Sequence, residues 1–182
     1  MSINDNQWPP ASAGASIPTE QALAEEKAFQ EKYPQRSAYY ELLMDLEHLF
    51  MIRARDEGCQ YYGIVNTQIN ATTVGYARCG IMEDGELHKI SDFKKACYKD
   101  FREQTKGNET ALYGFDIEYI ILEFGKAADL GYDYVRFYNG INAQGQNTMN
   151  FGFRKEGSEQ VDGMSGRGND PFLCPPLCPP GG

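Results

Sequence analysis

The amino-acid sequence predicts an α+β protein in which about four helices pack on a small, mostly antiparallel sheet. Two segments, 42–52 and 115–128, repeat apolar residues at helical spacing. From Tyr132 onward the apolar spacing changes from about 3.6 to about 2 residues, which is typical of strands. Both ends of the chain are rich in proline and small residues, so the sequence also predicts extended N- and C-terminal arms.

Shifts in composition divide the chain into four predicted segments. Residues 1–18 form a flexible leader, and residues 19–155 form a single α+β domain. Residues 156–171 form a linker rich in Gly, Ser and Asp, and residues 172–182 form an extended arm rich in Cys and Pro. A chain of 182 residues is long enough to bury one core, which agrees with a single domain.

The first two helices are predicted from their caps and breakers. The first begins near Thr19 and runs to Tyr33, where Pro34 stops it. Ser37 is predicted to cap the second helix, which should end near Gly58. The stripe of the second helix that we expect to lie across the core contains Leu42, Leu43, Met44, Leu46, Leu49, Phe50 and Ile52.

The third and fourth helices carry clearer terminal signals. Ser91 is predicted to cap the third helix, which should end before the polar break at residues 106–108. Asp116 is predicted to cap the fourth, and Gly131 supplies the left-handed residue that ends it. The apolar side of the fourth helix contains Ile117, Ile120, Ile121, Phe124, Ala127 and Ala128.

The strands are predicted from β-branched and aromatic residues and from turn signals. Segments 61–65 and 73–82 are expected to be strands, and 111–114 a third. Segment 132–154 is predicted to be a hairpin that turns at residues 142–145, with Gly145 where a positive φ is usual. Met149, Phe151 and Phe153 should share one face of its return strand.

The charge balance excludes several kinds of partner. The formal net charge is −9, so the protein repels phosphate backbones and anionic membrane surfaces, and we expect neither nucleic-acid nor membrane binding. The first residues contain neither a basic segment nor an apolar one of the kind found in signal peptides. We therefore expect a cytoplasmic protein whose five cysteines are reduced.

The C-terminal sequence Cys174-Pro-Pro-Leu-Cys178-Pro-Pro-Gly-Gly is the most unusual feature of the chain. Its prolines exclude helix and central strand, so it should be an extended arm. Its two thiols suggest zinc, but a structural zinc site needs about four ligands, and no second pair has a suitable spacing. Because polyproline conformation is preorganised, we favour an arm that docks in an aromatic groove. The tyrosines that can build such a groove, here or on a neighbouring subunit, are Tyr39, Tyr40, Tyr61, Tyr62, Tyr132, Tyr134 and Tyr138.

The hairpin and the arm together resemble those of a group of small uncharacterised bacterial proteins. The shared pattern is an Arg-x-Tyr-x-Gly hairpin, here Arg136, Tyr138 and Gly140, with a glycine turn and a threonine. A Cys-Pro-Pro-x-Cys tail follows about twenty-five residues later. The resemblance covers the chain from about His88 onward. It implies relatives but carries no activity, substrate or cofactor.

The sequence contains no local signature of catalysis. His48 and His88 have no nucleophile at a motif spacing, and Cys97 lies on the apolar side of its helix, as core cysteines do. Arg136 either clamps an anion or a partner's carboxylate, or pairs across its strand. We therefore lean towards a protein that is not an enzyme and that needs no cofactor.

The leading functional hypothesis is a non-catalytic interaction or self-assembly protein whose arms dock on neighbouring subunits or on another protein. A homo-oligomer, a filament or a lattice would all fit this hypothesis. The alternatives are a thiol or zinc protein that uses Cys174 and Cys178, and a small hydrolase or effector. The predicted interaction residues are Trp8, Arg136, Tyr138, Phe172, Leu173, Cys174, Leu177 and Cys178.

Overall fold

The computed structural model describes residues 15–162, 167–169 and 172–174. In this part of the chain the α+β class is confirmed, with four helices and eleven strands. The helices are α1 (Thr19–Lys32), α2 (Met44–Asp56), α3 (Asp92–Thr105) and α4 (Ile117–Asp129). The strands are β1 (Ala15–Ile17), β2 (Tyr39–Leu43), β3 (Cys59–Gln68), β4 (Val74–Met82), β5 (Leu87–His88), β6 (Leu112–Asp116), β7 (Tyr134–Ile141), β8 (Asn147–Arg154), β9 (Val161–Asp162), β10 (Arg167–Asn169) and β11 (Phe172–Cys174).

The strands lie in two antiparallel sheets, and the described residues form two compact units. One unit holds residues 54–117 and 172–174, and the other holds residues 15–53, 118–162 and 167–169. The sequence predicted one small sheet. Strands β1, β9, β10 and β11 come from the segments predicted to be leader, linker and arm.

The first unit contains the five-stranded sheet, in the order β11-β6-β3-β4-β5. Strands β3 and β4 form its central hairpin, with an irregularity in the register between Cys59 and Tyr61. Helix α3 buries Tyr98 and Phe101 in the core of this unit. The strands supply most of the rest of that core, which includes Tyr61, Val65, Ala77, Cys79, Ile81, Leu87 and Leu112.

The second unit contains the six-stranded sheet, in the order β1-β10-β8-β7-β2, with β9 also paired to β8. Residues of one parity on β7 and β8 face an apolar core, as the period of 2 predicts. That core contains Val135, Phe137, Met149, Phe151 and Phe153 from the strands and Ile120, Phe124 and Ala127 from α4.

Several predicted terminal signals are confirmed. The Ser91 hydroxyl accepts a hydrogen bond from the backbone N–H of Lys94 at the start of α3. Gly131 has φ +75°, and the backbone bonds from Gly131 and Tyr132 back to α4 form a Schellman motif. Gly145 has φ +78° in the hairpin turn, where a side chain would be strained.

The predicted start of the second helix is wrong. Residues 39–43 form strand β2, which pairs with β7 from Tyr39↔Tyr138 to Leu43↔Tyr134, so Ser37 caps no helix and α2 begins at Met44. An apolar run such as Leu42-Leu43-Met44 fits a strand or a helix equally well, and pairing with β7 decides between them.

The predicted core stripe of α2 is wrong in part. Met44 is buried as predicted, but Leu46 and Leu49 are exposed. Glu47 and Met51, which the predicted stripe does not include, are buried. The buried side of α2 is therefore not the side that carries Leu46 and Leu49. Asn147 and Asn150 on β8 are also buried, although both are polar.

Among the described residues, no helix combines the length and apolar composition needed to cross a bilayer.

Candidate interaction site

A cluster of charged side chains occupies one face of the six-stranded sheet, in the second unit. Glu41 on β2 lies directly across from Arg136 on β7, and Arg154 stands on the next strand, β8. Residues of the same parity on neighbouring strands project from the same face of a sheet. The pairing therefore brings one carboxylate and two guanidinium groups together on the face opposite the aromatic core.

Glu41 is bound by both arginines. Arg154 donates from Nη2 to Oε1 over 2.9 Å and from Nε to Oε2 over 2.9 Å, which is a bidentate pair. Arg136 donates from Nε to Oε2 of the same carboxylate. Both guanidinium groups also lie over tyrosine rings, at 4.3 Å from the Tyr39 centroid for Arg136 and 4.4 Å from the Tyr134 centroid for Arg154.

These contacts fix the charge states of the cluster. Hydrogen bonds from Arg154 lower the pKa of the Glu41 carboxyl below its ordinary value, and Arg136 adds to the effect against the opposing influence of burial. Burial lowers the pKa of the Arg136 guanidinium, but its hydrogen bonds with Glu41 and Tyr138 outweigh this, so the pKa lies above its ordinary value. All three groups are therefore charged at neutral pH.

The cluster also binds residues 155–159, which follow β8. Arg154 Nη1 donates to the backbone carbonyl oxygens of Lys155 and Ser158, over 3.2 and 2.9 Å. Arg136 Nη2 lies 3.3 Å from Glu159 Oε2, and the Tyr134 hydroxyl donates to Glu156. The segment predicted to be a linker thus begins with a turn that is held against the sheet.

The role of Arg136 follows from these partners. Of the two alternatives that the sequence leaves open, cross-strand pairing is the one that the geometry matches, because Glu41 lies opposite Arg136 in the register. Tyr138 stands two residues further along β7, with its ring 5.4 Å from that of Tyr39. Arg136 and Tyr138 therefore belong to the surface formed by β2 and β7.

We expect Glu41→Gln to destabilise the protein at neutral pH by about 2 kcal/mol, because it removes a charged hydrogen-bond partner from two largely buried arginines. A carboxyl whose folded-state pKa is lowered stabilises the fold above its unfolded-state pKa, and this stabilisation is lost as pH falls through the folded-state pKa. The loss on mutation should therefore shrink below about pH 4. Urea unfolding at several pH values measures it.

Glu159→Gln is the matched control, since Glu159 contacts Arg136 but its side chain is 89% exposed, against 26% for Glu41. We expect a change within about 0.5 kcal/mol for this variant. Equal effects of the two substitutions at neutral pH would contradict the assignment of Glu41 as the anchor of the cluster.

The C-terminal arm begins as a strand in the first unit. The backbone of β11 pairs antiparallel with β6, with Phe172↔Gly114, Leu173↔Tyr113 and Cys174↔Leu112. Strand β6 pairs with β3 on its other side, so β11 covers an edge that would otherwise be open. The arm thus starts by adding a strand to a sheet, whereas the sequence predicts a polyproline segment in a groove.

The other predicted arm residues lie outside the described part of the chain. These are Trp8, Leu177 and Cys178, and for Phe172, Leu173 and Cys174 only the backbone is described. The predicted tyrosine groove is wrong in part, because Tyr40, Tyr61 and Tyr62 are buried and cannot line an exposed groove. Tyr61 and Tyr62 are adjacent on β3, so their side chains project to opposite faces of the sheet, and both are buried.

The cysteines of the two central strands have the environment of structural thiols. Cys59 and Cys79 are buried, and burial raises the pKa of the Cys59 thiol to about 11 and that of Cys79 further still. The Cys59 Sγ lies 3.6 Å from the Met82 Sδ. Cys97 on α3 is also buried and free, as expected for a core cysteine.

His88 has a charged partner in the first unit. Its Nε2 lies 2.6 Å from Glu57 Oε2, and Lys89 Nζ lies 2.8 Å from Glu57 Oε1. This exposed group has no activated thiol beside it, since the nearby Cys59 has a raised pKa. In the described residues, no three His, Cys, Asp or Glu side chains are grouped so that they could hold a metal ion.

Strand β2 and the first turns of α2 carry a surface that sequence reasoning missed. Tyr39, Leu43, Leu46 and Leu49 are all exposed, and they lie on an edge strand and on the helix that follows it. The leucines are visible in the sequence, but their helical spacing indicates core. In the structure, Leu43, Leu46 and Leu49 are 44–57% exposed.

Comparison of the chain with protein-family models, curated proteins and solved structures finds no match.

Proposed function

We propose that this protein is a non-catalytic interaction protein that self-assembles through its C-terminal arm. The observation that supports the proposal is the pairing of β11 with the edge of β6. Addition of a strand to an open sheet edge is a common way in which one chain binds another, because the main chain supplies the hydrogen bonds. The arm of one copy would occupy the β6 edge of the next.

The composition of the arm agrees with exchange between copies. Strand β11 is three residues long and is preceded by a glycine-rich segment, so release of the arm breaks few hydrogen bonds. Two prolines follow each of Cys174 and Cys178, and a proline has no backbone N–H to donate to a neighbouring strand. An element that pairs with its own chain can pair identically with a neighbour, which is domain swapping.

We further propose a cytoplasmic location. Three buried cysteines, Cys59, Cys79 and Cys97, are free, which fits a reducing compartment. A net charge of −9 disfavours nucleic acid and anionic membranes as partners, so a protein, most simply a second copy, is the partner proposed.

Two truncations test the role of the arm. Removal of residues 171–182 deletes β11, whereas removal of residues 175–182 leaves it in place. We expect light scattering to give fewer subunits per particle for the first truncation than for the intact chain, and the same number of subunits for the second. A synthetic peptide of residues 170–182 should then bind the shorter protein, because the β6 edge is open.

Equal numbers of subunits per particle for the intact chain and the 171–182 deletion, together with no peptide binding, would contradict the proposal. The double variant Cys174→Ser/Cys178→Ser, measured with and without a chelator, tests the alternative that these two thiols bind a metal ion. If only those serines or the chelator change the particle mass, the thiols bind metal and the arm is not a strand donor.

A further inference from the structure

We propose that strand β2 and the start of α2 form a second self-association surface, on which β2 of another copy pairs antiparallel with β2. This surface lies in the second unit and does not depend on the C-terminal arm. Its occupant is a second copy of this chain, related by a two-fold axis. The inference rests on the hydrogen-bond pattern of β2, on its apolar side chains and on its charge.

Strand β2 is an end strand of the six-stranded sheet, next to β7. The backbone N–H and C=O groups of its successive residues point alternately towards β7 and away from it. The N–H of Asn139 donates to the carbonyl of Ala38, and the N–H of Met44 donates to the carbonyl of Asp133. Even-numbered residues of β2 therefore direct their backbone groups towards β7. The backbone N–H and C=O groups of the odd-numbered residues, Tyr39, Glu41 and Leu43, point away from it.

These outward groups suit pairing of β2 with itself. In an antiparallel arrangement centred on Glu41, Tyr39 of one copy lies opposite Leu43 of the other, and Glu41 lies opposite Glu41. Each such pair exchanges two backbone hydrogen bonds, since all three residues point outward. A surface that meets its own copy must be self-complementary about a two-fold axis, and this register satisfies that condition.

The side chains favour the same arrangement. Tyr39 and Leu43 are 39% and 51% exposed, and the register brings these two apolar groups together from different copies. Leu46 and Leu49 follow at a spacing of three, so they share one side of α2, and they are also exposed. A long, exposed apolar edge is a known template for association.

The charge of strand β2 does not oppose the association of two copies. Two copies that each carry a net charge of −9 repel each other, so a self-association surface must avoid further negative charge. Glu41 is the one charged side chain of β2, and Arg136 and Arg154 of its own chain neutralise it. The two central carboxylates can therefore face each other without strong repulsion.

Light scattering and sedimentation over a range of concentrations, on the protein lacking residues 171–182, test this surface separately from the arm. We expect a monomer–dimer equilibrium. Leu43→Lys should weaken dimerisation at least about tenfold, because it places a charge opposite Tyr39 of the other copy. Leu130→Lys is the matched control, since Leu130 is similarly exposed but lies just beyond α4, and it should leave the equilibrium unchanged.

Backbone hydrogen exchange read by NMR gives a residue-level result. The amides of Tyr40 and Leu42 should be protected at every concentration, whereas those of Tyr39, Glu41 and Leu43 should gain protection only as dimer forms. A protein that stays monomeric at every concentration would overturn the proposal. Protection of the Tyr39, Glu41 and Leu43 amides in the monomer would also overturn it, because it would show that the chain covers its own β2 edge. An unchanged dimer in Leu43→Lys would overturn it too. Because the arm is absent, none of these results bears on strand donation by β11.

Discussion

Phe151→Ala is expected to destabilise the protein by about 4 kcal/mol, the largest loss that we predict for a single substitution. Phe151 is buried at the centre of the aromatic core of the second unit. Its ring centroid lies 5.8 Å from those of Phe137 and Phe153, 6.1 Å from that of Phe124 and 6.4 Å from that of Tyr119. Truncation removes four ring contacts and leaves a cavity between strands and helix that the sheet cannot close.

Urea unfolding followed by circular dichroism measures this loss, and hydrogen exchange locates it. We expect protection to fall in β7 and β8. Leu122→Ala is the control, because Leu122 lies on α4 near the same core but its side chain is exposed. That substitution should change the free energy of unfolding by no more than about 0.5 kcal/mol. A loss of under about 1 kcal/mol for Phe151→Ala would show that the ring cluster does not hold the unit together.

Gly63→Ala is expected to cost up to about 3 kcal/mol in the first unit. A Cβ atom at Gly63 would lie 2.7 Å from the Cys79 Sγ and 3.0 Å from the Ile81 Cδ1. Strand β3 is paired on both sides, with β4 and β6, so it cannot move away to make room. The glycine is required here because the cysteine of the neighbouring strand fills the space above it.

A double variant tests that explanation. In Gly63→Ala/Cys79→Ala the new methyl group takes the place of the removed sulfur, so the two changes should offset each other by at least about 1 kcal/mol. Gly125→Ala is the control for the glycine itself, since a Cβ placed there would meet no atom within 4 Å apart from the adjacent residues and the backbone of its own helix. That change should stabilise α4 by about 1 kcal/mol. Additive effects of the Gly63 and Cys79 substitutions would contradict the steric account.

Local signals in the sequence were sufficient for several elements. Ser91 marks the start of α3 by its hydroxyl, Gly131 marks the end of α4 by its positive φ, and the turn glycine Gly145 fixes the hairpin of β7 and β8. These features depend on interactions between residues a few positions apart, so they can be predicted from the sequence alone.

The errors share one cause. The run from Tyr39 to Met44 is compatible with strand or helix, and Leu46 and Leu49 read as core because they repeat at helical spacing. Pairing with β7, whose residues are almost a hundred positions away, assigns residues 39–43 to a strand. On α2, Met44 and Met51 are buried and Leu46 and Leu49 are left exposed. Sequence periodicity identifies an apolar stripe but not what covers it.

The sequence by itself determined the α+β class, the start of α3, the end of α4, the hairpin of β7 and β8, and a charge that disfavours nucleic acid and anionic membranes. Only the tertiary structure decided that the strands form two sheets, that Arg136 pairs with Glu41, that β11 lies on β6 and that β2 is an edge. The physical reason is that caps, turns and alternation depend on near neighbours, whereas sheet order and burial depend on contacts between distant segments.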